Sequence, residues 1–95
     1  MYAQLHGFVP DGGKKKHYYV NESAGITTGM LIAAVHHAGL FLLTYTSSKM
    51  RFLNKILSRP SNEKPFMILV VGYPAEDTFV PAIRKKALED IAIFL

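Results

Sequence analysis

Residues 18 to 40 read YYVNESAGITTGMLIAAVHHAGL, and this stretch decides the fold of the chain. It predicts a helix that is capped by Asn21, runs to about His37 and stops at Gly39. Because the predicted helix is apolar on nearly every face, protein must surround it on all sides. A chain of 95 residues has little else with which to cover it, since a domain of this size buries only about 60 to 65% of its unfolded surface. We therefore expect this helix to need a partner surface that covers it.

The composition is that of a single globular domain. Hydrophobic residues make up 49% of the chain and charged residues 19%, which argues against wholesale disorder. The chain has no cysteine, so it has neither a disulfide framework nor thiolate chemistry. We expect no secretory signal at Met1 and no membrane span, because the apolar stretch from Gly29 to Leu43 is shorter than the roughly 20 residues that cross a bilayer. If the chain is complete as given, we expect it in the cytoplasm.

The remainder of the chain predicts strands that alternate with helices. The apolar runs Leu40 to Thr46 and Phe66 to Val71 predict two buried strands. Ser47-Ser48 predicts the cap of a second helix that ends at Pro60. Shorter elements are expected near the ends of the chain, namely a strand over Tyr2 to Phe8, two helical turns over Arg84 to Asp90 and a last strand over Ile91 to Leu95. This order indicates an α+β fold with a central sheet flanked by helices.

The net charge of +4 and the pI near 9.5 raise the question of a nucleic-acid partner. The basic run Lys14 to Lys16 directly follows the turn residues Asp11-Gly12-Gly13, which indicates a solvated turn. Tyr18 and Tyr19 could stack on bases, but packing at the entry of the long helix is the simpler interpretation. We therefore expect no nucleic-acid partner.

Few residues carry an obvious chemistry. The adjacent pair His36-His37 cannot easily close on one metal ion, because neighbouring helical residues project about 100° apart. No phosphate-binding loop and no nucleophile elbow is present. Thr44 and Thr46 share one side of a strand end, where a sheet often presents polar groups to a ligand, although β propensity also explains them. The run Arg84 to Lys86 is either a solvated helix start or an anion clamp. The residues alone leave both choices open.

A set of motifs spread along the chain resembles one family. The motifs are Leu5-His6-Gly7-Phe8, Lys14-Lys15-Lys16-His17-Tyr18-Tyr19, Ala33-Ala34, Ala38-Gly39-Leu40, Leu57-Ser58-Arg59-Pro60, Glu63-Lys64, Val71-Gly72-Tyr73-Pro74 and Val80-Pro81. Together they resemble the iodotyrosine deiodinase branch of the flavin-dependent nitroreductase superfamily. The likeness covers essentially the whole chain, but only the C-terminal half of the family's domain.

The resemblance implies that residues 1–95 are the C-terminal part of a nitroreductase fold. It further implies an intertwined homodimer with FMN bound at the interface, the long helix at its centre and a C-terminal tail that reaches the neighbour. Thr44, Tyr45 and Thr46 would contact FMN, with Tyr45 in place of the usual threonine. Thr46 would be the catalytic residue, because a hydrogen bond from its hydroxyl to the flavin N5 favours one-electron steps. Lys85 stands where the family usually binds the flavin phosphate with arginine, and Arg84 lies beside it.

The resemblance also implies an activity for the full-length form. It would be an FMN-dependent oxidoreductase that takes a small aromatic substrate, a halotyrosine, and removes its halide reductively. Electrons would come from a reduced pyridine nucleotide or from a reductase. The family's other phosphate-binding residues and its substrate lid match nothing in residues 1–95. Two alternatives are a general nitroreductase that acts on nitroaromatics or quinones, and a truncated, non-catalytic module that dimerises through its helix.

Overall fold

The computed structural model describes all 95 residues, and its longest element is helix α1, Val20–His37. Gly39 follows the helix with φ of 80°, a conformation that glycine adopts without steric cost. The predicted end of the helix is therefore confirmed. The predicted cap Asn21 is wrong, because the chain already turns into the helix at Tyr19, whose φ is 56°. Tyr19 accepts a hydrogen bond at its carbonyl from the amide of Ser23 at 2.9 Å.

Six short strands and one further helix complete the regular structure. In chain order they are β1 (Tyr2–Gln4), β2 (His6–Phe8), β3 (Lys14–Lys16), β4 (Phe41–Tyr45), α2 (Phe52–Ile56), β5 (Glu63–Pro65) and β6 (Ile68–Gly72). The strands form three separate antiparallel pairs: β1 with β5, β2 with β3, and β4 with β6. The mixed α+β class is confirmed. The single central sheet is not seen, since the chain forms three two-stranded sheets instead.

Several predicted boundaries are corrected by these pairings. Lys14–Lys16 is a strand rather than a turn, because each lysine faces a residue of β2. The strand predicted from Phe66 begins at Ile68, because the amide of Phe66 bonds instead to the carbonyl of Met1 at 3.0 Å. Strand β5 was missed, since its sequence Glu-Lys-Pro is polar. The second helix is only five residues long and starts beyond Ser47-Ser48.

The C-terminal tail, residues 79–95, differs most from the prediction. It contains only one 3-10 turn, Leu88–Asp90, in place of two helical turns and a strand. Its backbone hydrogen bonds all stay within the tail. The tail pairs with no strand of the chain, and an unpaired strand or an isolated short helix is at best marginally stable in water. The tail side chains Phe79, Ile93 and Phe94 are consequently 93%, 87% and 81% exposed.

Most of the apolar surface of the chain is uncovered. The accessible surface is 8483 Å², whereas a compact monomer of this mass exposes about 5,500 Å². The radius of gyration is 17.8 Å, against about 12 Å for a compact domain of this length. In α1 only Thr28 is buried, and Ile26 and Met30 are about 70% exposed. The strands β4 and β6, predicted to be buried, are also largely exposed. The chain itself therefore leaves α1 uncovered, and its cover by a partner surface stays a prediction.

The best-packed part of the chain lies where its first strand meets β5. Ala3 opposes Lys64 in this pair, and the N-terminal amine of Met1 donates to the carbonyl of Met67 at 2.8 Å. Asn62, only 4% exposed, forms a clamp on Leu5 and His6, the two residues that follow β1. Its side-chain amide donates to the carbonyl of His6 at 2.7 Å, and its own carbonyl accepts from the amide of Leu5 at 2.8 Å.

We expect Asn62→Ala to destabilise the chain by about 1 to 3 kcal/mol, because it leaves the part-buried carbonyl of His6 without its donor. The free energy of unfolding is measured by urea titration at a fixed protein concentration. Ser61→Ala, an exposed neighbour, is the matched control and should change the free energy by less than about 0.5 kcal/mol. Equal losses in the two variants would contradict the clamp.

A second link to β1 is an ion pair at the start of β5. The guanidinium of Arg59 donates two hydrogen bonds of 2.7 Å to the carboxylate of Glu63 and lies 5.9 Å from the centre of the Tyr2 ring. The hydrogen bond from Arg59 lowers the pKa of the Glu63 carboxyl, and the same bond raises the pKa of Arg59. The pair is solvent-screened, so its contribution to stability is small.

We expect Glu63→Gln to remove a pH-dependent part of this stability. Because the pKa of Glu63 is lower in the folded chain, its contribution is complete above the unfolded value of about 4.3 and is lost as the pH falls through the folded value. The difference in urea midpoint between the unchanged chain and Glu63→Gln should therefore shrink from about pH 6 to about pH 3. Glu76→Gln removes a carboxylate that makes no ion pair and serves as the control. A difference that stays constant over this range would refute the linkage.

Candidate functional site

The residues predicted to contact a cofactor lie at the end of strand β4. Thr44 opposes Leu69 and Tyr45 opposes Ile68 across the pair with β6. Thr46 is the first residue beyond the strand. The triplet is therefore presented at a strand end, where backbone geometry fixes its position but leaves its side chains accessible.

The hydroxyl of Thr46 is free within the chain. The side chains of Thr27 and Thr28 donate to the carbonyls of Ser23 and Ala24, one helical turn back in α1. Thr46 makes no hydrogen bond of this kind, because it follows a strand and has no preceding helical turn. Its hydroxyl can therefore donate to a ligand.

Thr46 lines a cavity of about 350 Å³, which we name the threonine cleft. Three of the residues around it, Ala3, Met50 and Pro65, are buried and form its floor. The rest of its lining is polar or aromatic and consists of Asn21, Thr46, Ser47, Ser48, Lys64 and Phe66. The cleft thus opens from the best-packed part of the chain, where the floor has little freedom to move.

Separate elements meet around the threonine cleft. Asn21 comes from the first turn of α1, and Thr46 follows β4. Lys64 comes from β5, whose pairing with β1 places it opposite Ala3. These residues are far apart in sequence, so the cleft depends on the pairing of the first strand with β5.

The cleft carries positive charge and several uncharged hydrogen-bonding groups. Lys64 is its only charged lining residue, and no carboxylate reaches it. The hydroxyls of Thr46, Ser47 and Ser48 can donate or accept, and the amide of Asn21 can do both. A small number of polar groups above an apolar floor suits a planar ligand with carbonyl and ring-nitrogen acceptors at its edge.

The predicted site residues are only partly brought together. Thr46 lines the threonine cleft, while Thr44 and Tyr45 lie on the adjoining strand. Lys85 is exposed in the C-terminal tail and lines neither this cleft nor the cavity beside it. Within one chain, Lys85 and Thr46 therefore do not share a site.

Four polar residues of the cleft are not among the predicted site residues, namely Asn21, Ser47, Ser48 and Lys64. Lys64 was noted only as part of a motif, and Asn21 only as a helix cap. The signal that could have identified them is weak, because their proximity to Thr46 comes from strand pairing rather than from local spacing. Ser47 and Ser48 follow Thr46 directly, and a run of three hydroxyl residues at a strand end was a usable signal.

The chain has neither a cluster of metal-ligating side chains nor a helix that could cross a membrane. No three His, Asp or Glu side chains come together in a way that could hold a metal ion. His36 and His37 lie in the last turn of α1, where basic side chains complement the helix dipole. None of the helices has both the length and the hydropathy required to cross a bilayer.

Comparison with known proteins gives one consistent result. The chain is 51% identical over 86 residues to an iodotyrosine deiodinase of Haliscomenobacter hydrossis, which covers 90% of this chain and 39% of the relative. It is 46% identical to an iodotyrosine deiodinase of Nematostella vectensis, over 98% of this chain and 36% of the relative. It is 40% identical to human iodotyrosine deiodinase 1, over 98% of this chain and 32% of the relative. No protein-family model matches the chain.

The matches cover nearly all of this chain but only part of each relative. The chain spans about a third of the length of the curated relatives that it matches. Within that third, identities of 40 to 51% confirm the resemblance indicated by the sequence motifs. The chain is a homologue of the iodotyrosine deiodinases along nearly all of its own length.

Proposed function

We propose that residues 1–95 are the C-terminal part of a single nitroreductase-like domain, in an FMN-dependent oxidoreductase that removes halide from halotyrosines. The single observation that carries this proposal is the 40 to 51% identity to proteins named iodotyrosine deiodinase. The substrate is a small aromatic molecule. The electron donor is a reduced pyridine nucleotide or a reductase.

The residues of the threonine cleft fit part of an FMN molecule. The cavity of about 350 Å³ is at the small end of the range for ligand sites. It suits the ring system rather than the whole cofactor. The free Thr46 hydroxyl and the absence of a carboxylate both favour a ring with hydrogen-bond acceptor atoms at its edge. When bound, FMN supplies the electrons for the reductive loss of halide.

The chain's own residues would orient the cofactor. Thr46 would donate a hydrogen bond from its hydroxyl to the flavin N5, and this contact makes it the proposed catalytic residue. Thr44 and Tyr45 would border the ring from strand β4. Lys85 would hold the flavin phosphate, and its place in the extended tail favours contact with a cofactor bound on a neighbouring subunit. Lysine keeps the charge of the usual arginine but lacks its two-pronged geometry.

The uncovered apolar surface supports a homodimer. Each chain exposes about 3,000 Å² more than a compact monomer of its mass. Obligate homodimers bury about 2,000 to 5,000 Å² in total, or about 1,000 to 2,500 Å² on each subunit. A second copy would therefore cover about a third to four fifths of the excess, and the rest of the family's domain would cover the remainder. A Cβ atom built at Gly25 or Gly29 of α1 meets nothing within 4 Å, so this side of the helix is open to close contact.

We expect the chain to sediment as a dimer with about twice its mass of 10.6 kDa. Met30→Glu should shift it towards monomer, because burying an unpaired carboxylate in an apolar interface costs several kcal/mol. Sedimentation equilibrium across protein concentrations measures this shift. Phe8→Glu is the matched control, since Phe8 is similarly exposed but lies on the β2–β3 hairpin away from α1.

A monomer at every concentration would contradict the homodimer. A shift in Phe8→Glu equal to that in Met30→Glu would contradict the place of α1 in the interface. Circular dichroism confirms that both variants keep the helical content of the unchanged chain, so that loss of the fold is not mistaken for loss of the interface.

We expect FMN fluorescence to be quenched saturably by the purified chain, at micromolar or lower FMN. Thr46→Ala should weaken binding about 2- to 12-fold, the equivalent of one hydrogen bond of about 0.5 to 1.5 kcal/mol. Thr46→Ser keeps the hydroxyl and should restore most of the affinity. Thr78→Ala removes a hydroxyl outside the threonine cleft and should leave the titration unchanged.

The absence of quenching would favour the non-catalytic dimerisation module over the flavin enzyme. If FMN binds, the full-length form is then assayed for halide release from halotyrosine and for reduction of nitroaromatics. Reduction of nitroaromatics without halide release would favour the general nitroreductase.

A further inference from the structure

The hairpin formed by β2 and β3 projects from the rest of the chain. The two strands pair only with each other, and neither packs extensively against a helix or another strand. Hydrogen bonds of its own hold the turn between them. The amide of Val9 donates to the carbonyl of Gly13 at 3.0 Å, and the side chain of Asp11 accepts from the amide of Gly13 at 2.9 Å. The shape of the hairpin is therefore set before any partner binds.

The register of the two strands places lysine and aromatic side chains on one face of the hairpin. Phe8 opposes Lys14 across the pair. His6 opposes Lys16 two positions further along, so these side chains share the same face. The Nζ atom of Lys16 lies 5.4 Å from the centre of the Tyr18 ring, which extends the face beyond β3. We name Phe8, Lys14, Lys16 and Tyr18 the hairpin face.

The hairpin face is open to solvent. Phe8 is 65% exposed and Tyr18 is 73% exposed, and both lysines are exposed as well. The two rings would gain free energy by leaving water, whereas the ammonium groups must remain hydrated or meet a negative charge. Lysine can satisfy both demands, because its apolar stem lies along an apolar surface while its charged end reaches the polar side.

The positive charge of the hairpin is not neutralised within the chain. Three lysines, Lys14 to Lys16, and one carboxylate, Asp11, give residues 6–16 a net charge of +2. The only ion pair of the chain joins Arg59 to Glu63, so none of these lysines has an acidic partner. The hairpin is therefore complementary in charge to an anionic surface.

Two properties favour a lipid surface over a protein or a nucleic acid. The hairpin face consists of four side chains, whereas a stable protein interface uses about 20 to 30 residues on each side. Its cations are lysines, which lack the two-pronged geometry with which arginine fixes a phosphate or a base. A layer of anionic headgroups demands neither a large area nor a fixed geometry, because each lysine near it adds to the attraction separately.

We propose that the β2–β3 hairpin is a contact surface for membranes with anionic headgroups. Phe8 and Tyr18 enter the boundary between headgroups and acyl chains, while Lys14 and Lys16 stay at the level of the headgroups. Lys15 adds charge from the opposite face of the hairpin. The contact uses no residue of the threonine cleft, so it is independent of the proposed function.

Vesicles that mix phosphatidylserine with phosphatidylcholine are the probe, and vesicles of phosphatidylcholine alone are the neutral reference. We expect the chain to co-sediment with the mixed vesicles and not with the neutral ones. Replacing Lys14 and Lys16 together by alanine should weaken binding about 30-fold, because each lysine near an anionic surface contributes about 1 kcal/mol. Phe8→Ser should weaken it about 5-fold through the loss of apolar contact.

Matched controls separate the hairpin from net charge and from exposed rings in general. Replacing Lys55 and Lys86 together by alanine removes two exposed lysines elsewhere in the chain. Phe79→Ser removes an exposed ring of the tail. Each control should change vesicle binding by less than about 3-fold. Equal losses in the hairpin variants and their controls, or no binding to the mixed vesicles, would overturn the proposal. Circular dichroism confirms that every variant keeps the helical content of the unchanged chain.

Polyglutamate and single-stranded DNA test the other classes of partner. Binding to either of them that depends on Lys14 and Lys16, without binding to vesicles, would refute the membrane contact. The full-length form should bind the mixed vesicles with the same dependence on the two lysines. If it does not, the rest of the protein covers the hairpin face and the proposal is wrong. Vesicle binding without flavin binding would retain this inference and refute the proposed function, and flavin binding without vesicle binding would do the reverse.

Discussion

The pairing of the first strand with β5 is the contact on which the rest of the structure depends. It joins Ala3 to Lys64 across sixty-one positions of the chain, and Asn62 continues the attachment through two hydrogen bonds to residues 5 and 6. This pairing places Ala3 against Met50 and Pro65, which together form the floor of the threonine cleft. Without it, the residues that line the cleft would belong to separate elements with no common base.

The second constraint is that the chain has more apolar surface than its own elements bury. Helix α1, the strands β4 and β6, and the C-terminal tail all expose large apolar side chains. Each Å² of apolar surface left in water costs about 25 cal/mol, so the apolar part of the excess of about 3,000 Å² favours cover by protein. The tail contributes to this uncovered surface, since Phe79, Ile93 and Phe94 are largely exposed. The uncovered elements also contribute to the threonine cleft, since Asn21 belongs to α1 and Thr46 follows β4.

The basic residues of the chain include one group on an exposed hairpin and another group around a cavity. The lysines of β3 lie on an exposed hairpin and line neither cavity of the site. Lys49, Arg51 and Lys64 surround a space built on buried residues and have no acidic partner.

The sequence by itself determined the elements whose signals are local. The extent of α1, its end at Gly39 and the strand that leads to Thr46 follow from apolar periodicity and from glycine in the left-handed region. The motifs also sufficed to identify the homology with iodotyrosine deiodinases. Only the tertiary structure decided that β5 exists, that the strands form three pairs, and that Asn21, Thr46 and Lys64 share one cleft. The physical reason is that strand pairing and burial depend on contacts between distant residues, and no local pattern of residue types records which distant strand supplies the partner.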